Sequence, residues 1–561
     1  MATRYPLQLA AQQVGETFMH TRLISRWRIP PPILLVLRLA LWIGVALGRI
    51  FLRFAHPIIS LAVLYQIWRH CYEYYRAKLG GRWGPAFPLP RTCFVITLAA
   101  IPIWGACMAV LMLMWPILLW FSNLIRSRFS RVGKYEPIAV DLDDLESPED
   151  AGYTQQRDGR VFSKPTGRNP LKIAVYSALL AAYVSVALFG VHMLRTYELP
   201  IDHRFKERVE HANRNVRPEG YGTGEKIYIA AMFYNNAGVL PYWIQEITKL
   251  IHYLGPENVF VSIVESNSGD NTADLLEGFD KTLQTMQVKR RILTRDNTIT
   301  RPESMATAPP RIQFLAAVRN QVLEPLVKNG GYNRIIFSND IFIEAESIVE
   351  LLDTKGGDFD MACGLDLAYW GLYDQWVLRD RLGRLASTLW PYFLEDTGYR
   401  AVMADEPAPV FACWNGIIAV RAEPFLPLSL RTVGQLSTNP LSRPLVSTHP
   451  AYGQPLNMTP AETPPLRFRS SVEGECFSSE CFLLPYDLRR QFDMQNIYVN
   501  PRVINSYGWE WYVWFKYVTR HWAVKWWIER VENGNGIHLA KIVLGDPARV
   551  WQFDGSECHP W

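Results

Sequence analysis

Net charge is nearly absent from this chain: 58 Lys and Arg against 53 Asp and Glu leave +5 over 561 residues. That balance is too weak to argue for nucleic acid, and no nucleic-acid partner is expected. Cysteine is scarce, with 8 in all. Cys71, Cys93 and Cys107 lie in an apolar N-terminal region, and Cys363, Cys413, Cys476, Cys481 and Cys558 lie beyond it. The Cys476-x4-Cys481 spacing lacks a matching second pair, which sets zinc aside. Disulfides are permitted beyond the apolar region, but the number there is odd and the pairing stays open. There is no internal repeat. No cleaved signal peptide is expected, because the apolar runs start late and are too long. Those runs contain neither Asp nor Glu, which disfavours chemistry close to them.

What is present is a strongly divided chain. Ile173 to Leu194 is uncharged and long enough to cross a bilayer. Cys93 to Phe121 is also uncharged but long for one span, so it is tilted, kinked at Pro102 or Pro116, or re-entrant. Ile33 to Leu52 carries Arg38 and Arg49, which are costly at a bilayer centre. Pro57 to Trp68 suits an interfacial segment or part of a hairpin. Between the last two runs lies a basic, polar linker of about residues 122–172, including Arg126, Arg128, Arg131 and Lys134. The positive-inside rule places it in the cytosol and the chain after Leu194 in the lumen or outside. Arg69, Arg76, Lys78, Arg82 and Arg91 resist a simple count, so the number of N-terminal spans stays open. The expected organisation is a membrane region 1–194, a stem 195–224 and a lumenal domain 225–561 with a Trp-rich tail.

From Lys226 the pattern alternates strand and helix, which predicts an α/β domain with a mostly parallel sheet and helices on both faces. An apolar strand from Ile227 to Phe233 ends in Tyr234-Asn235-Asn236. A helix from about Val239 to Leu254 follows, then a strand from Val259 to Val264 that ends in Glu265-Ser266-Asn267-Ser268-Gly269-Asp270. Ligands of open α/β sheets bind at the carboxyl ends of such strands. Further expected elements are helices from about Thr272 to Leu283, Arg311 to Val327 and Ser347 to Leu352. Strands are expected at Val288 to Thr294, Arg334 to Ser338, Phe359 to Cys363, Pro409 to Trp414, Gly416 to Val420 and Ile497 to Val499.

Several clusters suggest chemistry. The buried strand Arg334 to Ser338 runs into Asn339-Asp340-Ile341-Phe342, where nucleotide-sugar enzymes place a carboxylate that binds a hard divalent cation, and the cation neutralises the charge of the departing sugar diphosphate. Such sites use Asp-x-Asp, and the second carboxylate is missing here. Glu265 to Asp270 can accept hydrogen bonds from a base or ribose. Arg319-Asn320 offers a cation for a diphosphate. Asp366, Asp374 and Asp380 sit among Tyr373, Trp376 and Arg379, a mixture of rings and carboxylates that suits a sugar. Cys413-Trp414-Asn415-Gly416 is a polar turn, and Ser479-Glu480 either caps a helix or presents a carboxylate. Asn457-Met458-Thr459 is a glycosylation sequon followed by Pro460.

In order and spacing these pieces resemble the fungal capsule-associated α-1,3-mannosyltransferase family. The matches include Phe233-Tyr234-Asn235-Asn236, Tyr253-Leu254-Gly255-Pro256-Glu257-Asn258, Glu265-Ser266 with Gly269-Asp270-Asn271-Thr272, and Arg319-Asn320. They continue through Ser338-Asn339-Asp340, Leu365-Asp366, Leu372-Tyr373-Asp374, Cys413-Trp414-Asn415-Gly416, Ser479-Glu480-Cys481 and Asn500-Pro501, over about Lys226 to Tyr507. The resemblance implies a GT-A-like, Rossmann-type mixed sheet and transfer of mannose from GDP-mannose to a mannoside or polysaccharide acceptor with retention of configuration. It also implies Mn²⁺ or Mg²⁺ and a Golgi or other secretory-pathway membrane. Asp340 would hold the metal with Asn339 assisting. Asn235, Glu265 and Asp270 would serve the nucleotide, and Arg319 the diphosphate. Asp366, Asp374 and Glu480 would meet the sugars, with Glu480 or Asp366 as the nucleophile if the route is covalent. The missing second carboxylate keeps a competing reading in play: a degenerate transferase domain that binds glycans or assists polysaccharide export. Extra apolar spans also depart from a single-pass anchor.

Overall fold

A computed structural model describes residues 57–73, 89–129, 170–196 and 202–518 (short of 307, 370, 433, 442–446, 448–451, 454, 456 and 476) and the small strand pair Gln552–Phe553 and Ser556–Glu557. The Ile33 to Leu52 run, most of the basic linker, Cys476, Cys558 and the far end of the Trp-rich tail lie outside the described residues. The described chain divides into two compact units.

The first unit is helical. It contains α1 (57–73), most of α2 (Leu89–Phe129) and most of α3 (Pro170–Thr196). α2 runs as one helix through Pro102 and Pro116. Among the described residues, two stretches, Ala99–Ile117 and Pro170–His192, are long and apolar enough to cross a membrane. Much of their apolar surface faces outward, including Leu113, Trp115, Leu188 and Phe189. Trp104 Nε1 donates to the Ser60 carbonyl at 3.1 Å, and the Trp104 and Tyr183 rings meet edge to face at 5.1 Å.

The second unit carries the sheet. Its elements begin with α4 (Asp202–Arg214), β1 (Ile227–Phe233), α5 (Leu240–Leu254), β2 (Val259–Glu265), α6 (Thr272–Thr285) and β3 (Lys289–Leu293). They continue with α7 (Ala308–Asn329), β4 (Arg334–Ser338), α8 (Ala345–Leu352), β5 (Met361–Ala368), β6 (Gly371–Leu372) and β7 (Arg379–Asp380). Next come α9 (Asp396–Met403), β8 (Ala408–Ala412), β9 (Ile417–Arg421), α10 (Glu480–Phe492), β10 (Ile497–Asn505) and α11 (Trp509–Val513). The strand order is β3-β2-β1-β4-β9-β5-β10-β8-β7, with β6 on β5. β3, β2, β1 and β4 are parallel, and β9 enters antiparallel between β4 and β5. The mixed sheet expected from the sequence is therefore present.

Period-2 alternation builds a core on each face. In β1, Ile227, Ile229, Ala231 and Phe233 join one cluster, with Trp243 of α5 and Phe279 of α6. Tyr228 and Ala230 join the other, with Val318 and Val322 of α7 and Phe482 of α10. Helices thus cover both faces.

Several elements differ from the expectation, among them β10, which runs from Ile497 to Asn505 where a strand is expected only to Val499. Part of the segment read as a stem is α4, folded onto the domain through Phe205, Val209 and Ala212. Spacings of four and three put these on one helical stripe, which its many charged residues obscure. β5 also runs on to Ala368, which carries Asp366 inside the sheet, because β10 pairs alongside it as far as Asn505↔Asp366.

Trp509 packs on Tyr242 and Phe342, with ring centroids 5.4 Å away in each case. The near part of the Trp-rich tail is therefore core. Cys363 and Cys413 form a disulfide, and Cys481 is a buried free thiol.

Candidate active site

The position of Asp340 follows from α5. Pro241 stands in the first turn of that helix, where its missing N–H costs nothing. One turn in, Trp243 is fully buried and donates from Nε1 to Ser338 Oγ at 3.0 Å. Ser338 Oγ in turn donates to the Asn339 carbonyl at 2.9 Å, and the Asn339 N–H donates to the Gly416 carbonyl at 2.9 Å. The strand end is therefore pinned from both sides. Asp340 emerges half-buried, and Asn236 from the β1 loop donates to its Oδ2 at 2.6 Å. Burial raises the Asp340 pKa to about 6, against the Asn236 hydrogen bond and the Arg319 charge, which lower it.

A second carboxylate stands across the edge. Asp366 on β5 is buried, accepts at Oδ1 from Asn415 Nδ2 at 2.8 Å and has no partner at Oδ2 among the described residues. Its pKa is pushed well up, first by burial and then by the charge of Asp374. Asp374 is pushed up to about 6, again chiefly by burial. Asn415 holds the pair together, because its Nδ2 also donates to the Asp374 carbonyl at 3.2 Å. It does so from a left-handed backbone, φ 48°, in the Asn-Gly turn between β8 and β9. Gly416 follows at φ 83°, where a Cβ would lie 2.2 Å from Asn505 Oδ1, so only glycine fits.

These groups converge. The Tyr373 hydroxyl pKa is raised by partial burial, then by Tyr369 and by the carboxylates of Asp366, Asp374 and Asp340. Three acids from separate segments thus lie within electrostatic reach of one phenol. Asn339 is engaged by aromatics: its Nδ2 donates to the Tyr507 hydroxyl at 2.8 Å and its Oδ1 accepts from Trp414 Nε1 at 3.3 Å. Among the described residues, no group of three or more His, Cys, Asp or Glu is placed to hold a metal ion.

The acids nearer β1 and β2 are spent on loop backbone. Glu265 is buried and accepts from the Ser268 N–H at 2.8 Å and the Arg295 N–H at 2.6 Å. Asp270 is exposed; Oδ2 accepts from the Ala237 N–H at 3.0 Å, and Oδ1 accepts from the N–H and hydroxyl of Thr272. Slight burial opposes those bonds, but they hold its pKa below the usual carboxylate range. Asn235, at φ 54°, accepts from the Gly269 N–H at 2.6 Å. The β1 and β2 loops are therefore tied together.

Arg319 is placed in the core and not at the open edge. It lies on the inner side of α7, donates from Nε to Glu480 Oε1 at 3.2 Å, and stacks its guanidinium 4.2 Å from the Trp414 ring centroid. Both partners of the ion pair are 3% exposed. Asn320 exchanges hydrogen bonds with the backbone of Phe468. Ser479 accepts from the Phe482 N–H and caps α10, so Glu480 occupies its first turn. A cation does reach the edge elsewhere. The Arg301 guanidinium lies 3.5 Å from the ring centroid of Tyr234, at the end of β1. Nothing local marks Arg301, since it stands in a polar loop distant in sequence from its partner.

Residues 226–487 match the family model described as Cryptococcal mannosyltransferase 1. Over 221 residues the chain is 28% identical to an alpha-1,3-mannosyltransferase of Cryptococcus neoformans, with 34% of this chain and 45% of that relative covered. The chain thus spans about half the length of the curated relative it matches. Among solved structures it is similar to a mannosyltransferase from Pyrobaculum calidifontis in complex with GDP-Man and Mn²⁺, at 10% identity, 54% and 63% coverage and a TM-score of 0.25. It is also similar to residues 1–349 of TarS from S. aureus, at 11% identity, 50% and 60% coverage and a TM-score of 0.26. Residues 226–487 are thus similar to the capsule-associated mannosyltransferases.

Proposed function

We propose that this protein is a membrane-anchored glycosyltransferase of the capsule-associated mannosyltransferase family that moves mannose from GDP-mannose to a glycan acceptor with retention of configuration. The observation that supports it most is the convergence of Asp340, Asp366 and Asp374 on Tyr373 at the carboxyl edge of the sheet. The nucleotide occupies the β1–β2 half. There Glu265, Asp270 and Asn235 shape the loops, and Tyr234 with Arg301 faces the base or diphosphate.

The residues fit a divalent cation carried largely by the substrate. Asp340 is a desolvated carboxylate with one amide donor, and hard cations of this kind use one or two carboxylates together with substrate phosphates. Such a cation, Mn²⁺ or Mg²⁺, supplies charge neutralisation at the leaving diphosphate. Asp340 would hold it, with Asn339 orienting the strand end.

Asp366 and Asp374 take the sugar hydroxyls, since Asp366 Oδ2 retains free accepting capacity. Glu480, already paired with Arg319, acts as a positioning residue and makes a poor nucleophile. The two apolar helices serve as the anchor, and the basic linker before α3 supports a lumenal domain in a Golgi or other secretory-pathway membrane. The buried Cys363–Cys413 disulfide suits that oxidising side. The absence of a second acid beside Asp340 favours the alternative of glycan binding without transfer.

The test uses the full chain in detergent with GDP-mannose, Mn²⁺ and a mannoside acceptor. Mannose transfer is expected, and both Asp340→Ala and EDTA should abolish it. Failure to bind any nucleotide sugar would sink the reading. Protease protection of the chain beyond Leu194 in sealed microsomes tests its side of the membrane.

A further inference from the structure

We infer that Tyr369, Tyr373 and Tyr507 form a stacking platform for the terminal pyranose of the acceptor glycan. This inference rests on the transferase reading and names the acceptor side of the same site. The three tyrosines are 59%, 53% and 37% exposed, a concentration of open rings at one place on this unit. They are continuous: Tyr369 lies 6.3 Å from Tyr373, and Tyr373 lies 5.6 Å from Tyr507, centroid to centroid. Trp511 extends the row, 5.3 Å from Tyr369.

The platform begins at the reacting groups. The Tyr507 hydroxyl accepts from Asn339, next to Asp340, and the Tyr373 N–H donates to the Asp366 carbonyl at 3.0 Å. Asp366 Oδ2 is a buried acceptor without a partner among the described residues, in the same cluster. Flat apolar faces with polar tips beside an unsatisfied carboxylate match a pyranose, whose C–H face stacks and whose hydroxyls donate. Sheet order assigns it to the acceptor. The nucleotide half lies at β1 and β2, Asp340 follows β4, and the platform lies beyond it at β5 and β10.

The test measures binding of mannotriose and of GDP-mannose to the full chain in detergent, by ligand-observed NMR and calorimetry. Tyr369→Ala and Tyr373→Ala should each weaken mannotriose binding by about tenfold, Tyr369→Phe should retain it, and GDP-mannose affinity should stay within about twofold of wild type. Mannotriose binding that survives both alanine variants, or that is absent from wild type, overturns the platform. Loss of GDP-mannose binding alongside mannotriose in the alanine variants also overturns it. A wild type that binds mannotriose through these tyrosines but no nucleotide sugar leaves the platform standing and overturns the transferase reading alone.

Discussion

The two halves of one sheet edge carry the same kind of side chain in opposite states. In the β1–β2 half, Glu265 and Asp270 accept backbone N–H groups that tie neighbouring loops together. In the β4–β5 half, Asp340 has one amide donor, Asp366 has an oxygen with none, and burial raises the pKa of Asp340, Asp366 and Asp374. Satisfied carboxylates make a scaffold. Desolvated, under-satisfied ones create a demand that a cation, a proton or a sugar hydroxyl meets. Chemistry is therefore expected at β4–β5 and shape at β1–β2.

The largest effect should come from Asp340. Asp340→Ala is expected to lower mannose transfer by about 10³-fold while circular dichroism and the melting temperature stay near wild type. A loss under about tenfold would move the chemistry away from β4.

Next is the buried pair that underlies the reacting half. Glu480→Gln leaves the Arg319 guanidinium uncompensated in the core and should cost about 3–5 kcal/mol in denaturant unfolding. If activity falls with stability unchanged, Glu480 has a chemical and not a positioning role.

The third prediction uses pH. Folding raises the Asp340 pKa to about 6. The folded state then holds more protons than the unfolded state between about pH 4 and 6, so this group's contribution to stability falls as pH rises through that window. Cation binding needs the ionised form, so Mn²⁺ affinity should drop by about fivefold from pH 6 to pH 5 and level off above about pH 7. A flat affinity across this range, measured by titration calorimetry, would place the cation elsewhere.

The smallest effect belongs to the scaffold. Asp270→Ala removes three hydrogen-bond acceptances, of which the one from the Ala237 N–H joins the β1 and β2 loops and the two from Thr272 lie within the β2 loop. It should weaken GDP binding by about tenfold or less, with little change in turnover at saturating donor. A collapse of turnover would erase the contrast between the two halves.

Much of the fold was legible because local signals agreed. The run from Ile227 to Phe233 reads as a strand, and β1 has those bounds. Arg334 to Ser338 likewise matches β4, and the helix expected from Thr272 begins there. Asp340 stood out because a buried strand delivers it to the edge. α4 was hidden by its charge, since only three of its residues carry the apolar stripe. Arg319 looked like a surface cation because its inward-facing partners, Glu480 and Trp414, lie far away in sequence. Arg301 carried no signal for the same reason.

By itself the sequence determined the alternation of elements, the carboxyl edge that holds the acids, and the apolar runs that set the N-terminal helices apart. Those features depend on periodicity and burial within short stretches. Tertiary structure alone decided which acids are saturated and which are starved of partners. It also decided that Arg319 turns inward, and that Tyr369, Tyr373 and Tyr507 meet in one row. Each of these depends on elements far apart in the chain lying side by side, and pairings across such distances leave no trace in local sequence.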